Sequence, residues 1–453
     1  MNITDSIFAT LADIAGLSLF VSVRESPVLS SLRDLLEDVA GDKEDTPVFE
    51  EAAGSLDIIQ DWAAFTGSFI LCQRDYSFYL TIASLCLTDD NPYTQAAESQ
   101  ETIPPVLAAM AKADLARLGR IASFDIRSLG FHIADLLRKS GLDQIALSVE
   151  EESRVFWAAS HPVSGLPGNG DKRPLSHDGE LLLRIFPEGN NWVQSMPAVS
   201  AYLRTFGAGI LGQFESFYWA PPPVQPPASG GSSLPWFSAP LSGALTGPPP
   251  GFLSLCLRPV LNPDPVKLED LCGYEHQRSV VIANTLQFLE GRFANNLLLY
   301  GDRGTGKSAT VKAVCREFAH RGLKLLEIGK GDLTDLPGIM ELLSTRAQFF
   351  VIFIDDLSFE TTDDSFRSLK GLLEGGIETR PANVVIYATS NRRHLVKERR
   401  ADRPGTADAA EAALTGDVRA FDTMQEQFSL SDRFGLTVIF TAPGQEEYLR
   451  IAE

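Results

Sequence analysis

No run in this 453-residue chain approaches the roughly 18 to 20 consecutive apolar residues that a membrane span requires. The opening residues, Met1 to Ser6, lack the basic stretch of a secretory signal. The resulting expectation is a cytoplasmic protein with no membrane partner. Cysteine is scarce as well. Cys72, Cys86, Cys256, Cys272 and Cys315 are odd in number and form no C-x-x-C pair, which excludes a disulfide framework and a cysteine-ligated zinc site. His132 and His161 have no partner at metal-ligand spacing. Positive charge is in deficit, with 39 Lys and Arg against 59 Asp and Glu and a net charge of −20. The deficit is uneven: residues 1–220 hold 15 basic against 30 acidic side chains, and residues 251–453 hold 24 against 29. An acidic surface repels phosphate backbones, which disfavours non-specific nucleic-acid binding through the first half, whereas the nearly balanced second half leaves it open.

Between those halves charge is absent altogether. Residues 220–250 contain ten prolines and no charged side chain, the composition of an extended linker with polyproline II character. The expected organisation is a mostly helical acidic region at 1–219, a linker at 220–250 and a second domain at 251–453. Helical spacing of apolar residues runs through Val28–Val39, Trp62–Cys86 and Ile121–Leu137, with turns at Asp89-Asp90-Asn91-Pro92 and Pro104-Pro105. Glu150–Glu152 reads as a solvated helix end, and Leu181–Phe186 as a short strand among turns. The aromatic-rich segment Ala201–Trp219 is expected to pack against a neighbouring domain.

Chemistry is concentrated in the second half. Gly301-Asp302-Arg303-Gly304-Thr305-Gly306-Lys307-Ser308 fits G-x-x-x-x-G-K-[ST], a phosphate-binding loop. An apolar run, Leu297–Tyr300, precedes it as a strand would, and helical spacing follows from Ala309 to Arg321. Successive backbone N–H groups and a helix N-terminus must face phosphate oxygens, and glycines let the backbone come close enough. Lys307 would reach the β- and γ-phosphates, and Ser308 would ligate Mg²⁺.

Strand-like and helical runs then alternate: Leu323–Ile328, Pro337–Ala347, Phe349–Ile354, Ser365–Leu373, Val384–Thr389 and Leu436–Phe440. Continuous apolar strands separated by helices predict a three-layer α/β domain with a parallel sheet. Asp355, at the end of the run Phe349–Ile354 and 47 residues after Ser308, is placed to hold Mg²⁺. Asp356 beside it is a candidate to polarise an attacking water. Asn391 closes another buried strand and could orient that water. Arg433 precedes the last strand, from which an arginine can reach a neighbouring subunit's γ-phosphate. The arginine-rich stretch 392–403 reads as a solvated loop, with a DNA or partner contact as the alternative.

In this order, Gly301–Ser308, Phe350–Asp356, Ser390-Asn391 and Ser431-Asp432-Arg433-Phe434 resemble the AAA+ ATPases. The closer details Leu271-Cys272-Gly273-Tyr274-Glu275, Ile354–Glu360, Leu372–Glu378, Thr389–Glu398 and Leu430–Leu436 are similar to a bacterial AAA+ family catalogued only as a domain of unknown function. The likeness covers about residues 200–453. It implies a P-loop NTPase core in which Lys307 and Ser308 belong to Walker A and Asp355 and Asp356 to Walker B. Asn391 would be sensor 1 and Arg433 a trans arginine finger. ATP and Mg²⁺ are the implied cofactors, a homo-oligomer acting on a protein client the implied assembly, and ATP hydrolysis the implied activity. The alternatives are a nucleotide-gated adaptor with little turnover and a helicase-loader-like, DNA-associated ATPase. AAA+ modules also carry a helical lid after the last strand, so a sequence that ends at Glu453 is expected to be a fragment.

Overall fold

The computed structural model describes residues 3–41, 48–72, 78–99, 102–160, 179–187, 189, 191–221, 252–357, 369, 380–391 and 434–441. The chain divides into two compact units, Met1–Arg204 and Thr205–Glu453.

The described part of the first unit is helical. Its longer helices are Ile3–Ala15, Pro27–Gly41, Val48–Cys72, Phe78–Thr88, Pro105–Ala122, Ile126–Lys139 and Asp143–Ser160. In the helix Pro27–Gly41 the inward residues Val28, Leu29, Leu32, Leu35, Leu36 and Val39 recur at three- and four-residue spacing, so one stripe enters the core. Three carboxylates, Asp89, Glu98 and Asp114, are buried in this unit. Asp114 accepts from the N–H groups of Ser18 (2.8 Å) and Leu19 (2.7 Å) and from Arg117 Nη1 (2.9 Å), and thereby satisfies a turn that would otherwise expose bare donors. Asp89 has no hydrogen-bond partner of ordinary geometry on either oxygen. Burial raises its carboxyl from 3.8 to about 7, against the weaker pull of the Val23 N–H, Ser22 and Asn91. No helix among the described residues is long and apolar enough to cross a membrane.

Two expectations for this unit are corrected. Leu181–Phe186 is not a strand: Gly179–Ile185 is a helix, with Leu182, Ile185 and Phe186 buried at helical spacing. A short leucine-rich run has no period of its own to tell helix from strand, and leucine favours helix. Glu150–Glu152 lies inside the helix Asp143–Ser160 rather than at a solvated end. Glu150 pairs with Arg138, and Glu152 accepts from Trp62 Nε1 at 2.8 Å.

The second unit is built on a seven-stranded sheet: β1 (Ser216–Trp219), β2 (Leu257–Pro259), β3 (Leu297–Gly301), β4 (Leu323–Glu327), β5 (Phe349–Ile354), β6 (Val384–Asn391) and β7 (Leu436–Phe440). The spatial order is β2-β1-β4-β5-β6-β3-β7. Only the β1–β2 pair is antiparallel. The apolar runs are continuous because both faces are covered. Along β5, Phe350, Ile352 and Ile354 enter one core with the helix Leu336–Ser344, while Val351 and Phe353 enter the other with the helices Glu275–Leu289 and Lys307–Glu317. The result is the three-layer α/β arrangement expected, with a helical region before it.

The edge strands differ from expectation. Residues 216–219 form β1 within this sheet, so the aromatic segment supplies a strand, and Phe217 and Trp219 belong to its core. In sequence the proline-rich stretch lies between β1 and the helix Phe252–Cys256 that leads into β2; Trp219 pairs with Leu257, and Ala220 N–H donates to Cys256 O at 2.9 Å. Both flanks therefore belong to the second unit, and the boundary between units lies at Arg204. Buried Lys324 of β4 ties the preceding segment down, donating to Leu211 O (2.7 Å) and Phe214 O (2.9 Å).

Candidate nucleotide site

The phosphate loop begins where β3 meets β7. Gly301 has φ +152°, and a Cβ there would lie 1.8 Å from Phe440 O. The backbone can pass so close to β7 only without a side chain. Asp302 N–H then donates to that same oxygen at 3.1 Å, and Thr305 Oγ1 closes the loop on Asp302 O at 2.8 Å. Gly304 (φ +82°) and Gly306 (φ +79°) take the left-handed conformation that turns the chain into the helix Lys307–Glu317. Its first-turn N–H groups and the positive end of its dipole form an anion-binding terminus.

Lys307 is 7 % exposed, and its ammonium rests on Gly301 O (3.1 Å), Asp302 O (2.7 Å) and Asn391 Oδ1 (3.5 Å). Burial lowers its pKa, while Asp302, Asp355 and Asp356 oppose that shift. Arg303 lies in the same loop.

Strand register assembles the carboxylates opposite this loop. Ile354 of β5 faces Ala388 of β6, so the residues that follow, Asp355 and Thr389, meet at the same sheet end, and Asn391 faces Gly301 of β3. One oxygen of Asp355, Oδ1, accepts from Ser308 Oγ (2.6 Å), Thr389 Oγ1 (2.5 Å) and Asp356 N–H (3.1 Å). Asp356 turns the chain with φ +51°, a left-handed conformation that aspartate and asparagine adopt more readily than other residues with side chains. Its N–H donates to Thr389 Oγ1 at 2.8 Å, its Oδ1 accepts from Asn391 Nδ2 at 2.6 Å, and its Oδ2 lies 3.7 Å from Lys330 Nζ. Asn391 thus bridges the lysine and the second carboxylate, its oxygen toward Lys307 and its amide nitrogen toward Asp356.

The donor set suits magnesium. Ser308 Oγ and Asp355 Oδ1 are adjacent hard oxygens, and no group of three or more His, Cys, Asp or Glu among the described residues could cage a metal alone. Magnesium is held in this way, by one or two protein oxygens, with water and substrate phosphates completing its shell.

Gly301–Ser308, Asp355, Asp356 and Asn391 are therefore brought together. Arg433, the acidic residues Glu360, Asp363 and Asp364 that follow Asp356 in the sequence, the stretch 392–403 and the residues after 441 lie outside the described residues. Three participants have no role that the sequence alone assigns. Thr389 relays between the two carboxylates, and Lys330 begins the short 3-10 helix Lys330–Asp335 that follows β4. Glu327 ends β4, where burial raises its carboxyl, Lys312 opposes that shift, and Asp355 adds a smaller push upward. Only strand register, which pairs β4 with β5 and β5 with β6, reveals them.

Strand, glycine loop and helix, with a buried lysine facing a strand-end aspartate, define the phosphate-binding-loop class of α/β proteins. Residues 252–453 match the model of a family described as "Protein of unknown function (DUF815)", in agreement with the resemblance drawn from the sequence. No curated protein matches the chain. Among solved structures, it is similar to the Aeropyrum pernix ORC1 protein in complex with DNA, at 15% identity over 40% of this chain and 48% of that one, with a TM-score of 0.29. It is also similar to a Thermotoga maritima RuvB variant, at 17% identity over 41% and 51% of the two chains, with a TM-score of 0.26. The chain spans about half the length of each of these structures.

Proposed function

We propose that the second unit binds ATP with Mg²⁺ and hydrolyses it, as an AAA+ ATPase does. The observation that carries this reading is the 2.6 Å contact between Ser308 Oγ and Asp355 Oδ1, because it joins the phosphate loop to the carboxylate of a different strand. In this reading the loop N–H groups and the helix terminus bind the phosphates, and Lys307 exchanges its loop carbonyls for β- and γ-phosphate oxygens. Ser308 and Asp355 would hold the ion, which when bound neutralises charge on the β- and γ-phosphates. Thr389 fixes Asp355 and the turn at Asp356. Asp356 accepts the proton of the attacking water, and Asn391 orients that water together with the carboxylate it already touches. A base aligned in this way contributes about 10² to 10⁴ in rate. Arg433, supplied by a neighbour in a homo-oligomer, would stabilise charge at the transferring phosphoryl group, an effect of about 10³ to 10⁵ where such arginines act.

A second reading, a nucleotide-gated adaptor that turns over slowly, draws on Asp356 itself: its carboxylate is short and already gripped by Asn391 and Lys330. Nucleotide binding and phosphate release by the wild type, Asp356→Asn and Arg433→Ala separate the two. Loss of release with retained binding in Asp356→Asn, and reduced release in Arg433→Ala, support hydrolysis. Binding without release in the wild type supports the adaptor.

A further inference from the structure

We infer that Lys330 is a positioning residue for Asp356 and offsets that carboxylate's charge where a terminal phosphate would lie. The inference rests on the nucleotide-binding reading of the site and extends it to a residue outside every motif.

Asp356 is held from two directions. Asn391 at the end of β6 donates to Oδ1 at 2.6 Å, and Lys330, three residues beyond the end of β4, places Nζ 3.7 Å from Oδ2. Strands β4 and β6 flank β5, so three adjacent strand ends converge on one carboxylate. An aspartate at a left-handed turn has its reach set by the backbone, and two partners on opposite oxygens fix its remaining rotation. A carboxylate free on one side could turn away from a water held by Asn391.

Lys330 and Asp356 side chains are 45% and 62% exposed, so solvent screens the pair and its contribution to stability is small. Orientation and local charge remain as its effects. Asp355 and Asp356 both face the loop that would receive a tetra-anionic nucleotide, and a carboxylate there repels the terminal phosphate. The Lys330 ammonium, a point charge on a four-carbon stem, reduces that repulsion. This predicts a charge effect on ATP that ADP, lacking the terminal phosphate, does not share.

The test measures equilibrium binding of ATP and ADP with Mg²⁺, and steady-state turnover, in the full chain. The variants are Lys330→Ala, Lys330→Arg, Asp356→Asn and the Lys330→Ala/Asp356→Asn double variant. Lys330→Ala is expected to weaken ATP about threefold while leaving ADP within about twofold. Adding Asp356→Asn should cancel the loss, because the uncompensated carboxylate is then gone. Turnover should fall about tenfold in Lys330→Ala, with KM rising only as far as the roughly threefold weaker ATP binding, and Lys330→Arg should restore most of it. Equal effects on ATP and ADP, no effect, or a loss that persists beside Asp356→Asn overturns the inference. A wild type that binds ATP without turning over sinks hydrolysis but not the inference, which the ATP-to-ADP ratio still decides. A wild type that binds no ATP overturns both.

Discussion

Replacing Gly301 by alanine strikes the point at which fold and site coincide. The new Cβ would sit 1.8 Å from Phe440 O, and φ +152° is a conformation that side chains rarely adopt. The neighbour is backbone in β7, so relief requires β3 and β7 to separate. Separation breaks the bond from Asp302 N–H to Phe440 O, which is 3.1 Å long, and leaves both groups poorly satisfied, at about 1 to 3 kcal/mol. Backbone strain adds about 1 to 3 kcal/mol. The sum, about 2 to 6 kcal/mol, is a large share of a domain's stability. Gly304→Ala supplies the comparison, because its φ is also positive at +82° but nothing lies within 4 Å of a Cβ there. Only the strain applies, and about 1 to 2 kcal/mol is expected. Urea unfolding of both variants, followed through the second unit, gives the two differences. The prediction is that Gly301→Ala is the more destabilised and loses ATP binding in its folded fraction. Equal destabilisation of the two, or a fully stable Gly301→Ala protein, would refute the close approach of β3 and β7.

Asp89 predicts a pH dependence in the first unit. Its folded pKa, about 7, lies above the ordinary 3.8, so the folded state binds the proton more tightly and stability falls as pH rises between about 4 and 7. The full loss is about 4 kcal/mol at 1.36 kcal/mol per pH unit. Asp89→Asn should flatten this slope and stabilise the unit at pH 8; an unchanged slope in thermal unfolding across that range would count against the burial argument. Lys324→Met removes two charge-assisted bonds to buried carbonyls, 2.7 and 2.9 Å long, and should destabilise the second unit by about 2 kcal/mol. That corresponds to a fall in Tm of about 4 to 8 °C by calorimetry, and an unchanged Tm would show that the clasp on residues 210–214 is dispensable.

The sheet interior was legible from sequence because strands buried on both faces declare themselves as continuous apolar runs, as Phe349–Ile354 does. The phosphate loop was legible because its glycines and lysine answer to one backbone geometry. β1 and β2 were not, since Ser216–Trp219 and Leu257–Pro259 are short and acquire their period only by pairing with each other across the proline-rich stretch. Proline content suggested a break between domains, yet the pairing of Trp219 with Leu257 puts both flanks on one sheet edge. The roles of Thr389, Lys330 and Glu327 escaped detection for a related reason: their proximity to Asp355 and Asp356 follows from which strands are neighbours, an order that local composition does not carry.

Hydrolysis at this site is tested by Mg²⁺-dependent phosphate release from ATP, measured beside ATP binding in the wild type, Lys307→Ala and Asp356→Asn. The expected result is release by the wild type, loss of binding in Lys307→Ala, and binding without release in Asp356→Asn. Unimpaired binding in Lys307→Ala, or unimpaired release in Asp356→Asn, would contradict it.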